Sequence, residues 1–217
     1  KVRTPSSTPN KKPKSAGNGG ENSGIQVAIR VRPLNATERG RGDGIIVETK
    51  GSSVTLRDPI TAAPDTKNYH FVFGSSDSPE DSQYNVFQQI GIPLVDNVFK
   101  GYNCCILAYG MTGSGKTYSM LGSSENPGLI PRICEELFRR ATVVGAMDGE
   151  DITLNRCQVS FLEVYGSKIH DLLNLGDNLE IRTSTSAGTY VEGLTNVAVR
   201  NAGEIMNILD RGSKSRA

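Results

Sequence analysis

One eight-residue stretch limits the possible folds of this chain more than any other feature. Gly110-Met111-Thr112-Gly113-Ser114-Gly115-Lys116-Thr117 fits the pattern GxxxxGK[ST]. It follows a continuous apolar run, Cys104–Tyr109 (CCILAY), and precedes a helix-compatible stretch, Lys116–Leu121. A short apolar run of this kind predicts a strand covered on both faces. A strand, a glycine-rich turn and a helix start in that order make a phosphate cradle. Successive backbone N–H groups and the positive helix end can wrap phosphate oxygens. Only glycine permits the turns and the close approach. Lys116 can reach the β- and γ-phosphates, and the Thr117 hydroxyl can ligate Mg²⁺.

The rest of the chain supplies strands and helices in alternation. Ile25–Arg32 alternates apolar and polar residues and predicts a strand ended by Pro33. Shorter strands are predicted around Ile45–Glu48 and Val54–Arg57, and another over Tyr69–Phe73, ended by Gly74. Ser78-Pro79-Glu80-Asp81 is a helix start, with a capping Ser and Pro at the first helical position. Val86, Phe87, Ile90, Leu94, Val95, Val98 and Phe99 then recur at helical spacing. Gly91 and Pro93 predict a kink in that helix, and Gly101 its end. Helices are predicted over Pro131–Val144 and Asn201–Ser215, and a long strand over Ile152–Val164. Gly122–Gly128 interrupts the helix after the phosphate loop, an unusual place for a break. The alternation predicts an α/β domain of three layers, α/β/α, with a mostly parallel central sheet.

Composition divides the chain at Gly24. Residues 1–24 hold one Val, no Ile, Leu or aromatic residue, five of the 24 basic side chains and one of the 23 acidic ones. Such a leader cannot bury enough apolar surface to offset its ordering entropy and is expected to be disordered. Thr8-Pro9-Asn10-Lys11 resembles a proline-directed phosphorylation site, and Thr4-Pro5 a weaker one. Residues 25–217 keep 19 basic and 22 acidic side chains, so the +1 net charge of the whole belongs to the leader. That balance gives no support for a nucleic-acid reader. No run of about 20 apolar residues predicts a membrane span. Cys104, Cys105, Cys134 and Cys157 have no CxxC spacing and are expected to be reduced and buried in an intracellular protein. His70 and His170 make no zinc motif.

AYGMTGSGKTYSM (Ala108–Met120), with GYN (Gly101–Asn103) before it, resembles the P-loop region of a kinesin motor domain. The family usually has Gln where Met111 stands. Arg30-Val31-Arg32-Pro33 resembles its RxRP strand end, and GLIPR (Gly128–Arg132) the segment that restarts the broken helix. SFLEVY (Ser160–Tyr165), IHDLL (Ile169–Leu173), YVEGL (Tyr190–Leu194) and the Arg211–Ala217 stretch also match, most like the kinesin-3 class. The resemblance spans residues 25–217 and implies the P-loop NTPase fold of a kinesin motor, incomplete at its C-terminus. It implies that Gly110, Met111, Thr112, Gly113, Ser114, Gly115, Lys116 and Thr117 hold the phosphates of ATP, with Lys116 as the catalytic side chain and Thr117 on Mg²⁺. It implies that Arg30, Arg32 and Pro33 line the adenine edge and that Tyr118 stacks on the base. Glu163, at the end of an apolar run, is expected to be a structural hydrogen-bonding residue rather than a metal ligand.

The resemblance further implies an ATP-driven microtubule motor, cytoplasmic and bound to the cytoskeleton. The alternative is a non-motile tubulin-binding module that holds nucleotide without productive turnover. A small-molecule P-loop kinase is a third reading, opposed by the interrupted helix and the RxRP strand. Arg182–Gly188 (RTSTSAG) is expected to be an exposed loop touching tubulin, with Arg182 facing an acidic side chain. The family's NxxSSRSH and DxxGxE segments do not occur in the sequence, and the chain begins at Lys1. It is therefore expected to be the N-terminal portion of a motor domain, inactive by itself.

Overall fold

The computed structural model describes residues 24–74, 79–148, 157–174, 179–185 and 188–215. The leader up to residue 23, with Thr4 and Thr8, lies outside the described residues, as do the capping Ser78 and the 152–156 start of the expected long strand.

Strand β1 (Ala28–Arg30) is followed by α1 (Ala36–Arg41), β2 (Val47–Lys50), β3 (Ser53–Arg57), β4 (Pro64–Asn68) and β5 (Phe71–Phe73). Helix α1 is fixed by a capping box: the Asn35 side chain accepts from the Glu38 backbone, and Glu38 accepts from the Asn35 backbone. β1 pairs parallel with β5, and β2, β3 and β4 form an antiparallel sheet in that order. β4 (PDTKN) has no apolar alternation to reveal it; it is an edge strand that opens on Pro64, where a missing N–H costs least.

Helix α2 (Pro79–Val86) runs through a single π turn, Phe87–Gly91, into α3 (Ile92–Phe99). The break expected from Gly91 and Pro93 thus takes the form of a widened turn. Helix α4 (Lys116–Met120) follows the phosphate loop and is short. The chain then folds back, with Gly122 bridging to Pro127, before α5 (Leu129–Asp148) begins. Beyond α5 come β6 (Gln158–Val159), β7 (Leu162–Tyr165), β8 (Lys168–Asp171), β9 (Glu180–Ser184), β10 (Gly188–Glu192), β11 (Val197–Ala198) and α6 (Ala202–Lys214), the last capped by the Asn201 side chain. These strands pair antiparallel as β7–β8, β9–β10 and β6–β11. The α/β class stands, with one parallel pair among the described residues and antiparallel pairs around it.

Two apolar clusters hold these elements. Phe73, Val86, Phe87 and Leu129 form one, with Ile90, Ile106, Met120 and Ile133 against it. Val199, Ile205 and Ile208 form the other, with Cys134, Phe138, Cys157 and Leu173 packed on it. Beside the second, buried Asp171 organises the chain. Burial opposes its charge, but the Thr195 side chain, followed by the backbone N–H groups of Leu173, Thr195 and Asn174, outweighs this and lowers its pKa.

Three expectations need correction. Cys104–Tyr109 joins no ladder among the described residues: Leu107 is 84% exposed and Tyr109 95%. An apolar run is covered only if neighbours supply both ladder partners and a packing layer, and here only Ile106 reaches the first cluster. For the same reason Cys104 and Cys105 are exposed, while Cys134 and Cys157 are half-buried. The described part of the long strand is broken between β6 and β7, where the Phe161 ring turns onto Gly212 of α6. Glu163 stands on β7 opposite His170. Among the described residues no helix is long and apolar enough to cross a membrane.

Candidate nucleotide-binding site

The phosphate loop is built on backbone that glycine alone adopts without strain. Gly110 has φ 156°, and a Cβ there would lie 2.5 Å from the Ser114 hydroxyl oxygen. Gly115, the residue capping α4, has φ 95°. Within the loop Ser114 N–H donates to the Met111 carbonyl at 3.1 Å. The Lys116 ammonium donates to the Gly110 and Met111 carbonyls at 2.9 and 2.8 Å. The lysine thus lies along the loop's own rim. Met111, Thr112 and Thr117 are exposed. Among the described residues no cluster of three or more His, Cys, Asp or Glu side chains could hold a metal ion. Thr117, in the first turn of α4, offers one hydroxyl; that suits Mg²⁺, which takes most of its ligands from water and phosphate.

The RxRP residues meet this loop from the end of β1. Arg32 Nε donates to the Gly113 carbonyl at 2.9 Å, and its Nη1 to the Pro33 carbonyl at 2.9 Å. The same guanidinium grips both oxygens of Glu38 on α1, a bidentate pair. The Arg32 hydrogen bond, then that from the Asn35 backbone, hold the Glu38 carboxyl down to about 2. Arg32 therefore clamps the loop at Gly113, and α1 anchors the clamp.

Arg30 reaches a second group. Its guanidinium lies 5.0 Å from the centre of the Tyr118 ring. Its Nη1 donates to Ser119 Oγ and to Gln83 Oε1, each at 2.9 Å. Burial lowers the Arg30 pKa, and the Tyr118 hydroxyl opposes that shift. Gln83 Nε2 in turn donates to the Tyr118 carbonyl at 2.8 Å. Asn126, in the segment that breaks the helix, donates to the Tyr118 hydroxyl at 3.4 Å, and Arg132 Nε donates to the Pro127 carbonyl at 2.8 Å. A cavity of about 190 Å³ lies beneath the loop, lined by Ala28, Arg30, Phe73, Ile106, Ser114 and Lys116 among others.

All the predicted loop and RxRP residues are therefore brought to one place. Arg182 is not: it lies on β9, not in a loop, and pairs with Glu180 at 2.8 Å and Glu192 at 3.0 Å. Gln83, Ser119, Glu38 and Asn126 were not foreseen. Asn35-x-x-Glu38 carried a capping-box signal. Gln83 carried another, a polar residue three, four and seven positions before Val86, Phe87 and Ile90.

The family profile described as Kinesin motor domain matches residues 30–217. Kinesin-related protein 1 of Dictyostelium discoideum is 40% identical over 210 residues, covering 88% of this chain and 10% of that protein. Kinesin-like protein KIF1A of Rattus norvegicus is 37% identical over 202 residues, covering 88% of this chain and 12% of that protein. The curated relatives include members of the kinesin-3 class. A solved KIF14 dimer in a two-heads-bound state, with AMP-PNP and in complex with a microtubule, superposes with a TM-score of 0.78. It is 36% identical and covers 89% of this chain and 54% of that one. The chain spans about a tenth of the length of the first curated relatives it matches.

Proposed function

The chain belongs to the kinesin motor-domain family, and on that premise we propose that it forms the nucleotide-binding part of an ATP-driven microtubule motor. The observation that carries the reading is the loop itself. Its glycine turns, the Lys116 ammonium on its rim and the Arg32 clamp at Gly113 converge on one place suited to a polyphosphate. Gly110–Thr117 would hold the phosphates, with Lys116 neutralising the β/γ charge. Thr117 would hold Mg²⁺, which supplies charge stabilisation between the phosphates. Tyr118, with Arg30 against its ring, and the Arg32–Pro33 turn would face the base. The relatives' complexes with AMP-PNP, ADP and microtubules support both ligands. The place of action would be the microtubule cytoskeleton.

Tubulin contact is assigned to the β9–β10 hairpin. A direct contact through Arg182 would compete with Glu180 and Glu192, so its contribution would be small and salt-sensitive. The 217 residues by themselves are proposed to turn over no ATP, because the segments that sense γ-phosphate and metal in the family do not occur in the sequence.

The test is Lys116→Ala in the full-length protein, read by fluorescent-nucleotide titration with Mg²⁺ and by microtubule-stimulated ATPase. A charge-assisted hydrogen bond contributes roughly 1.5–3 kcal/mol, so affinity should fall about tenfold or more. Unchanged affinity and turnover would remove the assignment. Intact nucleotide and microtubule binding with no stimulated turnover in the wild type would favour the non-motile module instead.

A further inference from the structure

Gln83 is a polar side chain on an apolar helix face, and it is 1% exposed. Val86 and Phe87, at the next turn of the same face, belong to the first core cluster. An amide in that setting is tolerated only when both of its ends are bonded. Both are: the oxygen accepts from Arg30 of β1 at 2.9 Å, and the nitrogen donates to the Tyr118 carbonyl of α4 at 2.8 Å. The nitrogen also lies 3.5 Å from the Asn126 carbonyl. One residue thus joins the strand, the post-loop helix and the helix-breaking segment. The two sides it joins are the two members of the cation–π pair, Arg30 and Tyr118.

We infer that Gln83 is a positioning residue for base recognition, holding the Arg30 guanidinium and the Tyr118 ring together as a platform for the nucleotide base. The inference rests on the proposed reading of the loop as a nucleotide site. The chemistry of the position explains the residue. The Arg30 side requires an acceptor and the Tyr118 side a donor. An amide supplies both, a carboxylate supplies only acceptors, and a thioether supplies no donor. No contact links Gln83 to Gly110–Lys116 among the hydrogen bonds described, so its influence falls on the base side and not on the phosphate side.

The experiment uses the full-length protein and two probes, MgADP and Mg-pyrophosphate, with dissociation constants from calorimetry. Pyrophosphate engages the loop without a base. Gln83→Met is expected to weaken MgADP about tenfold while leaving Mg-pyrophosphate within twofold, the cost expected when buried partners are left unpaired. Gln83→Glu, which keeps the acceptor for Arg30 and loses the donor to Tyr118, should fall between Gln83→Met and the wild type. Arg30→Met added to Gln83→Met should weaken MgADP little further, since both act through one platform. Equal weakening of the two probes, an additive Arg30 effect, or unchanged MgADP affinity in folded Gln83→Met would each overturn the inference. Lys116→Ala separates this from the parent reading: it should weaken both probes. If the wild type binds neither probe, the nucleotide reading itself falls and this inference with it.

Discussion

Glu38 does two jobs at residue scale. It closes the capping box of α1 and it fixes the guanidinium that clamps Gly113. Its carboxyl is held down to about 2 from an ordinary 4.5, first by Arg32 and then by the Asn35 backbone. A depressed folded-state pKa means that the stabilisation is complete above the unfolded value, near 4.5, and is lost as pH falls through about 2. Stability should therefore fall more steeply between those two values in the wild type than in Glu38→Gln. Urea denaturation across a pH series measures this; parallel curves would show that the pair adds nothing. Glu136, also held down to about 2, first by Arg139, contributes to both curves and cancels in the difference. The spacing Asn35-x-x-Glu38 made the cap readable in the sequence. The clamp was not readable, because it depends on the turn at Pro33 bringing α1 back over a loop some 80 positions away.

At the scale of elements, Gly40 of α1 and Gly212 of α6 should respond oppositely to the same substitution. Gly→Ala in a helix interior ordinarily stabilises by about 0.8–1 kcal/mol. In α1 a Cβ on Gly40 would meet nothing within 4 Å, so Gly40→Ala should follow the rule. In α6 a Cβ on Gly212 would lie 2.5 Å from Phe161 Cδ1 and 3.4 Å from Leu172 Cβ. There overpacking should reverse the sign, at a cost of about 1–3 kcal/mol. Chemical denaturation of both variants decides the matter; a stabilising Gly212→Ala would mean that Phe161 moves aside freely. The sequence revealed α5 and α6, and its Gly91 and Pro93 the break before α3. In the described part of the expected long strand, 157–164, it missed the break between β6 and β7. Pattern reading sees Ser160-Phe161 as two more residues of one strand, whereas the Phe161 ring is committed to α6. It missed β4, whose strand geometry comes from its register with β3 and not from its side chains.

At the scale of the molecule, the phosphate motif revealed the fold class, and the expected RxRP neighbours do gather around it. The burial of Cys104–Tyr109 was not correctly readable, because apolar composition states a demand for cover and cannot state whether the cover is supplied. That uncovered segment has a chemical consequence. It begins with two adjacent exposed thiols, Cys104 and Cys105. The other two cysteines are poor nucleophiles: burial pushes the Cys134 thiol up to about 11 and raises that of Cys157. Iodoacetamide followed by peptide mass mapping should therefore mark Cys104 and Cys105 on the order of tenfold faster than Cys134 and Cys157. Equal rates at all four would contradict the arrangement. Wherever another strand comes to lie along 104–109, the paired thiols should fall silent, so that alkylation kinetics become a stopwatch for the moment at which this part of the sheet closes.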